Sequence, residues 1–392
     1  MHAKRLTAIA CWGLVWLSLH GMIFAAEPAA AGLDAGALAR IAPRMQQFVD
    51  QHQAAGVVTL VARHGHVAHV AAVGLADIEK RQPMRTDSLF LIASMTKPIT
   101  ATALMILVDE GKLSLDDPVA KYIPPFRDVT VNGQPLERAI TVRHLLTHTS
   151  GIASDQRNRG SLAETVESLA KQPLKFQPGA QWMYGPGLTV CGRLIEIVAQ
   201  QPFSGFLQTR IFQPLKMADT TFFPTAAQQQ RLARLYKPSK SKKGLEQAGH
   251  WLLDVSGRSS PNPSGGLYST AGDLARFYRM IVRGGESDGV RIVSQKAVQE
   301  MTRIHTDDLK TGFTTGNGWG LGWCVVREPQ GVTRMLSPGT CGHGGAFGTQ
   351  GWIDPRRDMI FVMLVQRMDF GNGDASELRD AFQQLAVEAV RN

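Results

Sequence analysis

Cysteine is scarce in this chain, and what is scarce or missing narrows its chemistry before any motif is considered. Only Cys11, Cys191, Cys324 and Cys341 occur in 392 residues. Cys11 lies inside an N-terminal apolar run, so three cysteines stay in a processed chain, at least one is unpaired, and stability does not rest on a disulfide framework. Cys324 and Cys341 can bridge only if their strands are neighbours. Beyond Leu6 to Phe24 there is no second apolar run of membrane-spanning length. The net charge of +9 is partly concentrated at Lys237, Lys240, Lys242 and Lys243, with no interleaved aromatics to stack bases. This cluster reads as a solvated loop, not a nucleic-acid site. His144 and His148 stand four apart without the glutamate of a zinc-peptidase helix, which leaves them a structural role near a helix end at Thr149-Ser150-Gly151. His64, His66 and His69 fall in a strand hairpin where His69 faces away from the other two. No metal site is expected, and no internal repeat is present.

What is present begins with Lys4-Arg5, the apolar run, and small residues Ala25-Ala26 before Glu27-Pro28. That order reads as a secretory signal over residues 1–26, with a retained single-pass anchor as the alternative. Cleavage leaves roughly 365 residues for a periplasmic or secreted protein with no stable membrane span, enough for one large core or two lobes sharing an interface. Leu38, Ile41, Met45, Phe48 and Val49 keep helical spacing, with Pro43 marking a kink or the true helix start. Val57 to Ala62 and Val67 to Val73 read as strands around the turn His64-Gly65. Near the other end, Thr349 to Ile353 and Met359 to Val365 flank a turn at residues 354–358. A last helix with Leu378, Phe382, Leu385 and Ala389 on one face is expected to open with a capping box from Asp374 to Glu377. Between the two ends the pattern is mostly helix and loop. The expected fold is α+β: an antiparallel sheet built from both chain ends and flanked by helices, with an inserted, mostly helical lobe. The α/β lobe takes residues 27–97 and 281–392, the helical lobe residues 98–280, and the two together form one catalytic domain.

Ser94-Met95-Thr96-Lys97 falls where an extended segment turns into a helix. Positions i and i+3 share a helix face, so the Lys97 amine lies within reach of the Ser94 hydroxyl. A serine hydroxyl is a weak nucleophile until a base takes its proton, and a lysine becomes such a base only when burial or nearby positive charge lowers its pKa. The residues after it, Ile99, Ala101, Ala103, Leu104, Met105, Ile106, Leu107 and Val108, describe a helix enclosed on most sides, with Gly111 as its stop. Two other Ser-x-x-Lys stretches, at residues 168–171 in an amphipathic helix and 239–242 in the basic loop, have no such setting.

Residues 90–100 around Ser94 and Lys97, with Glu110-Gly111-Lys112-Leu113 and Asp116-Asp117-Pro118-Val119, resemble the first motif region of the serine β-lactamase and penicillin-binding protein superfamily. The likeness is strongest to its class C β-lactamase-related esterases and peptidases, and spans roughly residues 38 to 390. Residues 145–151, 212–217, 265–270 and 319–323 follow in family order. The resemblance implies a β-lactamase/transpeptidase-like fold. It assigns Tyr184, from the Tyr-x-Asn motif, the role of sharing the serine proton with Lys97 and passing it to the leaving group. Pro186 replaces the motif's asparagine, removing a contact that holds the acylamino side chain of β-lactams.

The Lys-Thr-Gly motif is replaced by His343-Gly344-Gly345. The match makes the backbone N–H groups of Ser94 and Ala346 an oxyanion hole, leaves room for substrate at Gly344 and Gly345, and weakens at His343 the fixed charge that would grip a substrate carboxylate. The expected protein is an exported serine hydrolase that forms an acyl-enzyme on Ser94 without metal or cofactor and acts on a small ester or amide, with cell-wall peptides as further candidates. Esterase activity ranks first, D-amino-acid peptidase or β-lactamase activity next, and non-catalytic binding of cell-wall peptides is the rival from another class.

Overall fold

The computed structural model describes residues 28–153, 160–241, 243–253, 260–370 and 373–391. The signal expected over residues 1–26 and Lys242 of the basic cluster lie outside the described residues.

Valine- and isoleucine-rich runs favour extended backbone, and those near the two chain ends become the middle of one sheet. Its strands are β1 (Gly56–Arg63), β2 (His66–Asp77), β3 (Gln82–Pro83), β4 (Asn317–Trp319), β5 (Cys324–Val326), β6 (Cys341–Gly344), β7 (Gln350–Asp354) and β8 (Met359–Leu364). They lie antiparallel in the order β4-β5-β6-β7-β8-β1-β2-β3. The two chain ends meet where β1 pairs with β8, from Val58 opposite Leu364 to Arg63 opposite Met359.

Side chains alternate across that seam. Val58, Leu60, Ala62, Ile360, Val362 and Leu364 enter one core, while Val57, Val61, Met359, Phe361 and Met363 enter a second on the opposite face. Both faces are covered, so these strands are nearly continuous apolar runs rather than polar–apolar alternations. The helices that matter for the site are α1 (Ile41–Asp50), α2 (Thr96–Asp109), α3 (Val142–Leu146), α4 (Gly187–Ala199), α5 (Ala271–Val282) and α6 (Glu377–Glu388). Helices α1 and α6 cover the second core, and α5 lies against β1, β7 and β8 from the first. Pro43 falls in the first turn of α1, where a missing N–H costs nothing. Every residue of α2 from Thr96 to Leu107 is buried, the all-round enclosure its composition foretold.

Two local expectations need correction. The capping box from Asp374 to Glu377 does not form: Ser376 is the N-cap of α6, accepting the Arg379 N–H, and Asp374 lies one turn earlier with its carboxylate on Gln350. Serine has the same capping chemistry as aspartate and stands directly before the helix, so the helix starts there. Cys324 and Cys341 do lie on adjacent strands, but their side chains enter opposite cores, and both are free thiols.

One close approach sets the angle between α3 and α4. A Cβ on Gly187 would stand 2.2 Å from the Leu145 carbonyl oxygen, a backbone atom with little room to move. Gly187→Ala is therefore expected to destabilise the protein by about 2 kcal/mol or more, read as a lower urea midpoint. An unchanged midpoint would show that the two helices are free to separate.

Candidate active site

The serine sits where a short strand turns abruptly into α2. Phe90–Leu91 pairs with Tyr268–Ser269, and Ile92 N–H donates to the Leu267 carbonyl at 2.9 Å. The backbone then reverses through Ala93, which holds the left-handed φ of 46°. Non-glycine residues adopt that conformation at a cost that the surrounding structure must offset. Ser94 follows in a single tight turn over Ala93–Met95, half-buried at the surface, and Lys97 is in the first turn of α2.

Lys97 is fully buried. Its Nζ donates to Ser94 Oγ at 3.1 Å and to the Ser264 carbonyl at 2.6 Å. No carboxylate among the described residues pairs with it to compensate the loss of water, and burial alone pushes the amine down to about 7. The Ser264 carbonyl is aimed by its neighbours: Thr100 Oγ1 donates to the Pro263 carbonyl at 2.7 Å, Ser264 N–H donates to Asn262 Oδ1 at 2.9 Å, and the Thr189 and Ser264 hydroxyls share a 2.7 Å bond. Three segments distant in sequence thus fix one acceptor for the amine.

Tyr184 arrives on the loop before α4. Its hydroxyl donates to Ser94 Oγ at 2.8 Å, and Lys97 Nζ lies 4.6 Å from its ring centre. Burial is the main reason the phenol is held well above its usual pKa, so it stays protonated at neutral pH. Lys97, neutral about half the time at pH 7, is then the group able to accept the serine proton, and Tyr184 is a donor. Pro186 stands immediately before α4.

The loop is held by a residue whose contact with the site has no local signal in the sequence. Helix α3 ends at Leu146, and His148, at φ 59°, turns back under Tyr184 instead of continuing a helical face with His144. His144 caps its own helix by accepting the Thr141 N–H on Nδ1. His148 takes the Gly185 N–H on Nδ1 at 3.3 Å and the Met183 N–H on its carbonyl at 2.9 Å, so it grips both neighbours of Tyr184. Its ring lies 4.6 Å from the Tyr184 ring. Burial, and then the charge of Lys97, keep it neutral. Trp182, Trp319 and Phe313 complete an aromatic wall around Tyr184, with Phe313 48% exposed at its lip.

The end of β6 closes the site opposite the serine. His343 is buried, its Nδ1–H donates to the Gly344 carbonyl at 2.5 Å, and its ring lies 6.0 Å from that of Tyr184. Burial, and then the charge of Lys97, hold it in the neutral form, so no fixed cation stands here. The space that side chains would take at Gly344 and Gly345 is filled by the protein itself. A Cβ on Gly344 would meet Asp374 Oδ1 at 1.7 Å, and one on Gly345 would meet Thr349 Oγ1 at 2.0 Å and the Ile92 carbonyl oxygen at 2.5 Å. The glycines therefore let β6 approach both the serine turn and the segment before α6. Ala346 is exposed just beyond, and neither its N–H nor that of Ser94 donates to a backbone carbonyl among the described residues.

A serine beside a buried amine and a protonated phenol, where β6 ends, is the arrangement of a serine hydrolase. The chain belongs to the Beta-lactamase family, whose model matches residues 41–386. Esterase EstB of Burkholderia gladioli is 32% identical over 377 residues, which cover 86% of this chain and 93% of that protein. A putative D-alanyl-D-alanine carboxypeptidase of Escherichia coli K12 is 28% identical over 362 residues, 82% of this chain and 81% of its own length. Among solved structures, EstCE1, described as a hydrolase with promiscuous acyltransferase activity, superposes with a TM-score of 0.77 at 24% identity, covering 91% of this chain and 99% of its own. That last likeness shows the shared fold.

Proposed function

We propose that this serine hydrolase is an esterase for small, uncharged acyl esters, working through an acyl-enzyme on Ser94. Neutral Lys97 takes the Ser94 proton as Oγ attacks the ester carbonyl. The N–H groups of Ser94 and Ala346 receive the developing oxyanion, and Tyr184 gives its proton to the departing alcohol. Water then attacks the acyl group by the same route in reverse. The observation that carries this reading is the convergence of Lys97 Nζ and Tyr184 Oη on one hydroxyl, at 3.1 and 2.8 Å. The esterase relative supports the substrate class, as do Pro186, which offers no side-chain amide to an acylamino group, and the neutral His343. The leader-like residues 1–26 support action outside the cytoplasm; recovery of the protein only from the cytoplasmic fraction would count against that.

The test is turnover of short-chain nitrophenyl esters, D-alanyl peptides and a chromogenic cephalosporin by the purified protein, with a serine-directed phosphonate as label. The esters are expected to be the best substrates. Preference for the D-alanyl peptides would make the protein a peptidase, the activity named for the carboxypeptidase relative. Rapid cephalosporin hydrolysis would make it a β-lactamase.

The buried amine also sets a pH dependence. Only its neutral form is a base, so kcat/KM is expected to rise about tenfold per unit at low pH, bend near pH 7, and stay level into the alkaline range where Tyr184 keeps its proton. A rate that is flat from pH 5 to 9 would remove Lys97 from the role of base.

A further inference from the structure

Asp374 occupies the place where the expected capping box failed, and no motif accounts for it. Its Oδ1 accepts the Gln350 Nε2–H at 3.0 Å, and Gln350 in turn accepts the Trp352 Nε1–H at 2.8 Å on its own Oε1. Both partners belong to β7, next to β6. From behind, the buried Arg379 donates to the Asp374 backbone carbonyl at 2.6 Å and stacks 4.1 Å over the Trp352 ring. Three side chains, Gln350 directly and Trp352 and Arg379 behind it, thus position Asp374 with its carboxylate over Gly344, at a spot that only a glycine leaves open. Asp374 is half-buried, not sealed.

The position matters because of what stands beside it. For Tyr184 to protonate a leaving atom, that atom must sit near the phenol, and whatever it carries then extends along the Tyr184–His343 side of the cleft toward β6. His343 presents a neutral ring there, and the negative charge of Asp374 reaches both His343 and the Tyr184 hydroxyl. Resting on the esterase reading above, we infer that Asp374 is a specificity-determining residue: it makes the leaving-group side of the cleft repel a carboxylate and accept neutral or cationic leaving groups. The whole protein carries a net charge of +9, whose general field would favour anions. A preference against anions therefore has to come from a local group.

The test uses three thioacetates that share one acyl group and differ at the leaving thiol: acetylthiocholine, the uncharged S-butyl thioacetate, and S-acetyl-3-mercaptopropionate. Released thiol is read with a disulfide reagent. The wild-type protein is expected to hydrolyse the cationic and neutral compounds with kcat/KM on the order of tenfold above the anionic one, a gap that narrows as salt is raised from 20 to 500 mM. Asp374→Asn keeps the size and an oxygen for Gln350, and is expected to raise kcat/KM for the anionic compound by on the order of tenfold while leaving the neutral one unchanged. Asp374→Lys is expected to reverse the order. Unchanged ratios in both variants, with neutral-substrate activity intact, would overturn the inference. So would a wild-type preference for the anionic compound. Should Asp374→Asn fail to fold, the salt dependence of the wild-type ratio still decides, since a ratio insensitive to salt excludes a charge effect. Failure of the esterase reading looks different: no thioacetate would be hydrolysed faster than by Ser94→Ala, and this inference would fall with it.

Discussion

Ser94→Ala is expected to lower kcat for a nitrophenyl ester by roughly 10⁴-fold, with KM nearly unchanged, and to abolish phosphonate labelling. The hydroxyl is the atom on which Lys97 and Tyr184 converge, so its loss removes the covalent route and leaves only binding and oxyanion stabilisation. The fold should survive. Ser94 is half-buried and Lys97 keeps its bond to the Ser264 carbonyl, so unfolding curves of variant and wild type should superimpose. Activity within tenfold of wild type in a folded Ser94→Ala protein would place the chemistry elsewhere.

Lys97→Met is expected to be equally inactive and, at acidic pH, more stable than the wild type. In the unfolded chain this amine ionises near 10.5, and in the fold near 7. Between those values the unfolded chain holds a proton that the native protein lacks, so native stability rises with pH through that window. Below about pH 7 the native protein must bury the charge, and the full penalty applies, on the order of 5 kcal/mol from the displacement of the pKa. Methionine fills similar space without the charge, but it leaves the Ser264 carbonyl without its 2.6 Å donor, a loss of about 1–3 kcal/mol. The net expectation is a gain of about 2–4 kcal/mol at pH 6 that shrinks by pH 9, measured by urea unfolding at both values. A destabilised Lys97→Met at pH 6 would mean that the amine is better solvated than its burial implies.

The parts of the site legible in the sequence are those whose geometry is local. Ser94 and Lys97 are tied by one helical turn, and the apolar run after them announces the burial that makes the lysine a base. Tyr184, His343 and Ala346 were placed by the order of motifs rather than by any physics of their own neighbourhoods. Ser264, His148 and Asp374 escaped for a common reason. Each acts through a contact made only when distant segments meet, as when Ser264 offers its carbonyl to an amine 167 positions away. A backbone carbonyl has no residue signature, and Asp374 sits two residues before Ser376, either of which has capping chemistry. The sheet followed the same division. Strands β1, β2, β7 and β8 are apolar runs long enough to recognise, whereas β4 is the three residues Asn317–Trp319, extended because β5 lies beside it.

The seam between β1 and β8 also governs when the protein can become active. Val58 waits for Leu364, 306 positions later, and the serine turn waits for Ala346, so neither the central pairing nor the proposed oxyanion pocket exists in a nascent chain still lacking its last strands. Contacts of such long range close late and slowly. Synthesis must be almost complete before hydrolytic power appears.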